Sequence, residues 1–103
     1  MDRTEAATLL RRELRGYAGR DHAELARLVG DGDTYELEGS GVAYQIEVDA
    51  FWEGPAGGAI RVIGSIDDGT FRAAFQPLTD SFVKFADGVV DAGWGDEAPP
   101  AGR

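Results

Sequence analysis

Four carboxylates recur at alternate positions in two short stretches of the chain, first Glu36 and Glu38, then Glu47 and Asp49. Neighbouring carboxylates can divide general acid and general base chemistry between them when their environments separate their pKa values. The same alternation is typical of the solvent-facing side of an antiparallel sheet, and we favour this second interpretation. We therefore predict no catalytic residue among them, and an enzyme is the least favoured function class.

Other residue types that perform chemistry are scarce. The chain has no cysteine and one histidine, His22, which excludes thiolate zinc sites, a cysteine nucleophile and a histidine metal triad. His22 stands at the start of a predicted helix, where we expect a solvent-exposed side chain rather than a general base. Residues 31–36 begin like a calcium loop but place Tyr35 at the third ligand position, so a turn is the better interpretation. We predict neither a metal nor a cofactor.

Apolar and basic side chains also fall on the predicted polar face. Phe51 continues the alternation of Glu47 and Asp49, and Arg61 and Ile63 occupy the same face of the next predicted strand. Aromatic residues and arginine on an otherwise polar surface are typical of partner-binding sites. Burial within the monomer, self-association and a foreign partner would each account for Phe51 and Ile63. The predicted interaction face consists of Glu36, Glu38, Glu47, Asp49, Phe51, Arg61 and Ile63.

Two helices are predicted before Gly30. The first has apolar residues at three- and four-residue steps, among them Leu10 and Leu14, and Thr4 is its expected cap. Asp21 and Glu24 have the spacing of a capping box, which predicts a second helix over residues 22–29.

The hydrophobic period changes to two after Gly30. Strands are predicted around residues 35–38, 44–52, 60–66, 71–75 and 81–85, separated by turns rich in Gly and Asp. One register of the hairpin of the second and third strands places Asp49 opposite Arg61, a favourable cross-strand pair. Helices followed by consecutive hairpins predict an α+β fold, with two N-terminal helices packed on one face of a four- or five-stranded antiparallel β-meander.

The length of the chain limits the number of domains, and its net charge limits the kinds of partner it can bind. The 103 residues predict one domain over residues 1–90 and a flexible acidic tail, rich in Pro and Gly, over residues 91–103. The net charge is −9, which repels phosphate backbones and anionic lipid surfaces, so neither nucleic acid nor a membrane is an expected partner. Without a long apolar run or cysteine, the chain is expected to be cytoplasmic.

Short motifs within residues 44–88 carry a resemblance. They are Phe51-Trp52, Arg61-Val62, GSIDDG at 64–69 and PLTDSF at 77–82. In these motifs the stretch resembles segments of short bacterial proteins of uncharacterised function. The resemblance covers less than half of the chain and implies membership of such a family, with no ligand, activity or site residue attached to it.

Two functional hypotheses follow. The first is a small, acidic, non-enzymatic interaction or regulatory module whose acidic sheet face meets a basic protein partner. The second is a small-molecule-binding protein with a pocket between helices and sheet, lined by Tyr17, Tyr44 and Trp52. Salt-sensitive binding of a protein would favour the first hypothesis, and stabilisation by a metabolite would favour the second.

Overall fold

Two helices and five strands make up the part of the chain that the computed structural model describes, residues 2–69 and 77–92. The elements are α1 (Arg3–Ala18), α2 (His22–Leu28), β1 (Asp33–Glu38), β2 (Ala43–Trp52), β3 (Ile60–Asp67), β4 (Leu78–Lys84) and β5 (Val90–Ala92). The strands form one sheet in the order β1-β2-β3-β4-β5, and every neighbouring pair is antiparallel. The predicted α+β fold, with its helices followed by an antiparallel meander, is confirmed.

Each helix begins at an aspartate whose side chain satisfies free backbone N–H groups. Asp2 accepts a hydrogen bond from the backbone N–H of Glu5 at 3.0 Å. The cap of α1 is therefore Asp2 and not Thr4, the predicted cap, and the helix starts at Arg3. Asp21 and Glu24 form the predicted capping box of α2. Gly30 follows α2 with a φ of 89°, a backbone conformation that favours glycine, and the chain then enters β1.

The core lies between the helices and one face of the sheet. Helix α1 packs on β3 and β4, and α2 contacts β2 and β3. The alternation of β2 and β3 is observed as predicted, because their even-numbered side chains face the helices and their odd-numbered side chains face away. The largest fully buried side chains are Leu10, Leu14, Leu25, Tyr44, Ile46, Val48, Ile60, Val62, Ile66 and Phe82.

The register of the β2–β3 hairpin differs by two residues from the one that would pair Asp49 with Arg61. Asp49 lies opposite Ile63, and Arg61 lies opposite Phe51. The observed register pairs Trp52 with Ile60 and leaves a seven-residue connection, closed by a hydrogen bond from the Glu53 N–H to the Ala59 carbonyl at 2.8 Å. A shift of two residues preserves the buried face, so alternation alone could not choose between the two registers.

Two sequence predictions reach beyond the described residues. The strand predicted around residues 71–75 lies outside them, and β3 pairs directly with β4. Strand β5 includes Asp91 and Ala92, so the sheet runs two residues past the predicted domain boundary, and residues 93–103 of the predicted tail lie outside the described part. Within the described part, no helix is long and apolar enough to cross a membrane.

Candidate functional site

The sheet has a second face, opposite the one that packs on α1 and α2, which we call the acidic face. All seven residues of the predicted interaction face lie on it, because the strand register brings their alternate positions to the same side. Its side chains are Thr34, Glu36, Glu38, Gln45, Glu47, Asp49, Phe51, Arg61, Ile63, Ser65, Asp67, Thr79, Ser81, Val83 and Asp91. Six of these are acidic and one is basic, so the face is strongly negative.

Four of these carboxylates have no partner among the described residues. Glu36, Glu38, Glu47 and Asp49 are all exposed, and within residues 2–69 and 77–92 none of them makes an ion pair or a side-chain hydrogen bond. Glu47 lies opposite Thr34 and hence diagonal to Glu36, and diagonal neighbours in a sheet are about 7–8 Å apart. Like charges at this distance repel each other, since they lie within one Debye length at physiological salt.

Apolar side chains occupy the other end of the acidic face. Phe51 is 51% exposed, and it shares a row of the sheet with Arg61 and Val83. Phe85 follows Val83 in the β4–β5 hairpin and is 40% exposed. Ile63, in the next row, is half-buried. The acidic face therefore combines an unpaired acidic region along β1 and β2 with exposed aromatic rings near the β2–β3 loop.

Arg61 is engaged within the acidic face itself. Its guanidinium donates two hydrogen bonds to the carboxylate of Glu53, each of 3.0 Å, and a third to Ser81 Oγ at 3.1 Å. The hydrogen bonds from Arg61 hold the pKa of Glu53 below its usual range. Because Arg61 is paired in this way, its charge does not compensate the free carboxylates along β1 and β2.

The predicted pocket residues Tyr17, Tyr44 and Trp52 do not form one pocket. Tyr44 and Trp52 lie near opposite ends of β2, about 26 Å apart along an extended strand. The Tyr17 hydroxyl donates to Asp33, the Tyr44 hydroxyl donates to Glu5, and the Trp52 ring contacts His22. Apolar periodicity placed all three on the helix side of the sheet, but it carried no information about their positions along the strands.

Tyr44 joins the start of β2 to the start of α1. It is 1% exposed, and its hydroxyl donates to Glu5 Oε1 at 2.8 Å while the Ser40 N–H donates to Glu5 Oε2 at 2.8 Å. Burial, followed by the bond to Glu5, raises the pKa of Tyr44 to about 12. The same two donors lower the pKa of Glu5.

The lowered pKa of Glu5 predicts a dependence of stability on pH. The folded state binds the proton of Glu5 less tightly than the unfolded state, whose pKa is about 4.3. The stabilisation is therefore complete above that value and is lost as the pH falls through the folded pKa. We expect Glu5→Gln to be less stable than the wild type at pH 7, with a difference that narrows under acid.

Urea unfolding at a series of pH values measures this difference. Glu38→Gln is the control, since Glu38 is an exposed carboxylate without a hydrogen bond in the described structure. A Glu5→Gln difference that stayed constant from neutral to acidic pH would show that the carboxylate charge is not what joins α1 to β2.

His22 has a structural contact that the sequence did not predict. Its side chain is half-buried rather than solvent-exposed. Its Nε2 atom lies 2.6 Å from the Gly58 carbonyl oxygen, and its ring lies 6.0 Å from the Trp52 ring. His22 therefore links the start of α2 to the β2–β3 loop, and no described serine or carboxylate hydrogen-bonds to it as a catalytic arrangement would require.

A cleft opens on the helix side of β1, beside the end of α1. It has a volume of about 520 Å³ and is lined by Glu13, Tyr17, Arg20, Asp33 and Tyr35. Sequence analysis singled out only Tyr17. Glu13 and Tyr17 stand four residues apart and so share a face of α1, and Asp33 and Tyr35 share a face of β1. Those spacings were visible in the sequence, but nothing in it placed the two pairs against each other.

Two tyrosine–carboxylate hydrogen bonds span this cleft. The Tyr17 hydroxyl donates to Asp33 Oδ2 at 2.5 Å, and the Tyr35 hydroxyl donates to Glu13 Oε1 at 2.9 Å. Burial and the bond to Asp33 raise the pKa of Tyr17 to about 12, and burial and the bond to Glu13 raise that of Tyr35 further. Both phenols are therefore protonated donors at neutral pH.

Comparison with known proteins adds no identity. Searches against protein-family models, curated proteins and solved structures return no match to the chain. Among the described residues, no group of three or more His, Cys, Asp or Glu side chains could hold a metal ion. The acidic face and the cleft are thus the two features from which a function can be argued.

Proposed function

We propose that this protein is a non-enzymatic interaction module that binds a basic surface of a partner protein through the acidic face. The observation that carries the proposal is a set of four exposed carboxylates that no residue of the described part of the chain pairs with, Glu36, Glu38, Glu47 and Asp49. Their mutual repulsion is relieved when lysine or arginine side chains of a partner approach. Complementary charge of this kind speeds association and selects against acidic competitors.

The apolar end of the acidic face supplies the second requirement of an interface. Charge at a solvent-exposed rim contributes little affinity, whereas aromatic side chains that become buried contribute much of it. Phe51 is half-exposed beside the ion pair of Arg61 and Glu53, so a partner that covers it removes apolar surface from water. The proposed partner therefore carries basic side chains next to an apolar group.

A foreign partner is favoured over a second copy of the chain. Two acidic faces brought together would place unpaired carboxylates against each other, because Arg61 is already bound to Glu53. Such like-charge contacts oppose association. The proposal also includes a cytoplasmic location, which the absence of cysteine favours.

The test compares two doubly substituted proteins of equal net charge. Glu47→Gln with Asp49→Asn removes two carboxylates from the acidic face. Asp21→Asn with Asp87→Asn removes two elsewhere and preserves their side-chain acceptors for backbone N–H groups. Each protein is used to capture partners from a native cytoplasmic extract at low salt, and the affinity of any stoichiometric partner is then measured by calorimetry at increasing salt.

The proposal expects a partner whose affinity falls with salt and is roughly fivefold weaker for the Glu47/Asp49 variant, on the basis of about 0.5 kcal/mol per exposed charge. The Asp21/Asp87 variant should bind like the wild type. Recovery of the bait alone would contradict the proposal, and so would a partner with equal affinity for both variants at every salt concentration.

A further inference from the structure

The charged groups that line the cleft differ in how many of their polar atoms are hydrogen-bonded. Glu13 is committed, since its Oε1 atom accepts from Tyr35 and its Oε2 atom accepts from Arg12 at 3.1 Å. Asp33 uses only Oδ2, which accepts from Tyr17, and no described residue donates to its Oδ1 atom. Within the described part of the chain, Asp33 Oδ1 is therefore an acceptor without a donor.

Arg20 is the complementary free group. The central carbon of its guanidinium lies 4.2 Å from the centre of the Tyr17 ring, an arrangement in which the ring attracts the cation. A planar guanidinium also matches a carboxylate with two parallel hydrogen bonds. Within residues 2–69 and 77–92, no acidic side chain pairs with that guanidinium.

Tyr17 holds these two opposite charges apart. Arg20 lies over its ring and Asp33 lies at its hydroxyl, and the described structure contains no ion pair between them. The two groups even act on Tyr17 in opposite directions, Asp33 raising its pKa and Arg20 lowering it. Among the described residues, an unpaired cation thus lies over the face of the Tyr17 ring and a carboxylate with one unused oxygen lies at its hydroxyl.

We propose that this cleft binds a small zwitterion of the α-amino acid type. Arg20 receives the ligand carboxylate, and Asp33 Oδ1 accepts hydrogen bonds from the ligand ammonium. The volume of about 520 Å³ falls within the range of small-molecule sites, which is about 300–1,000 Å³. The proposed contacts of Arg20 and Asp33 use none of the four carboxylates Glu36, Glu38, Glu47 and Asp49, so this proposal does not depend on the interaction proposal.

The hydrogen bonds that span the cleft connect α1 to β1. Helix α1 packs on β3 and β4, and two hydrogen bonds join it to the edge strand β1. Tyr17 and Tyr35 make that connection from opposite directions. The alternative is that these two hydrogen bonds only join α1 to β1 and that the cleft binds no ligand. The experiment must distinguish this alternative from binding at Arg20 and Asp33.

The experiment follows backbone amide shifts of the full-length protein by NMR during titration with a panel of free α-amino acids. Two matched sets of compounds test the ammonium and the carboxylate of the ligand separately. N-acetyl amino acids lack the ammonium group, and amino acid amides lack the carboxylate. The proposal expects a saturable shift of the amides of Tyr17, Arg20 and Asp33 with at least one free amino acid, and at least about tenfold weaker binding of its acetylated and amidated forms.

Substitutions test the same contacts from the protein side. Asp33→Asn keeps an acceptor for Tyr17 but removes the charge, and Arg20→Gln removes the guanidinium. Each should weaken binding about tenfold or more, whereas Arg27→Gln, on the exposed surface of α2, should not change it. No saturable shift with any free amino acid would overturn the proposal. Equal binding of the acetylated form would also overturn it, since that result would mean an anion site at Arg20 alone.

Discussion

Gly64→Val is expected to lower the free energy of unfolding by about 3 kcal/mol. Gly64 lies on the helix side of β3, and a Cβ atom built there would stand 2.9 Å from Leu14 Cδ2 and 3.0 Å from Leu10 Cδ1. Both leucines are buried, at 0% and 2% exposure, so neither can move aside freely. Valine is a good strand residue, but this preference is worth too little to offset the overlap.

Unfolding in urea measures the effect, and two further variants identify its cause. Leu14→Ala alone should cost about 3 kcal/mol through loss of buried surface and the cavity that it leaves. The double variant Leu14→Ala with Gly64→Val should lose clearly less free energy of unfolding than the two single variants together, because the valine methyl groups enter the space that the leucine leaves. Gly54→Val is the matched control, since a Cβ atom there meets nothing within 4 Å. Strict additivity of the pair would show that close packing at Gly64 is not responsible.

Lys84→Met is expected to lower the free energy of unfolding by about 2 kcal/mol. Lys84 is 7% exposed although it is charged, and its Nζ atom donates to the Ala18 carbonyl at 2.9 Å. Ala18 is the last residue of α1, where unpaired carbonyls and the helix dipole favour a cation. Methionine retains the aliphatic packing of the lysine stem and removes both the donor and the charge.

Thermal and urea unfolding of Lys84→Met should be compared with Arg27→Met. Arg27 stands in the last turn of α2 but is exposed, so its loss should change stability by less than about 0.5 kcal/mol. Unchanged or raised stability of Lys84→Met would mean that the cost of taking the ammonium out of water exceeds the value of its bond to Ala18.

These contacts show why the two surfaces of the sheet have different roles. On the helix side, Gly64 lets α1 approach β3, and Lys84 holds the end of α1 over β4. Helix α1 therefore packs on β3 and β4, and the hydrogen bonds of Tyr17 and Tyr35 join it to β1. On the acidic face, the described side chains at the β1–β2 end are free carboxylates, so charge rather than packing dominates that surface.

The sequence by itself determined the class of fold and the composition of the faces. Periods of three to four residues around Leu10 and Leu14, and of two residues from Tyr44 to Trp52, reflect which side chains must leave water, and that requirement is local to each element. The same alternation assigned Glu47, Asp49 and Phe51 to the face away from the helices. Because a strand has only two faces, knowing which side chains are buried also identifies those that face away from the helices.

Only the tertiary structure decided how the elements are placed against each other. Hairpin registers that differ by two residues bury the same side chains, so the pairing of Arg61 with Phe51 depended on the β2–β3 loop and on Glu53. The separation of Tyr17 from Tyr44 and Trp52, the bond from Lys84 to Ala18, and the cleft between Asp33 and Arg20 all join residues far apart in sequence. Such contacts arise from the position of α1 across the sheet, which periodicity within single elements does not contain.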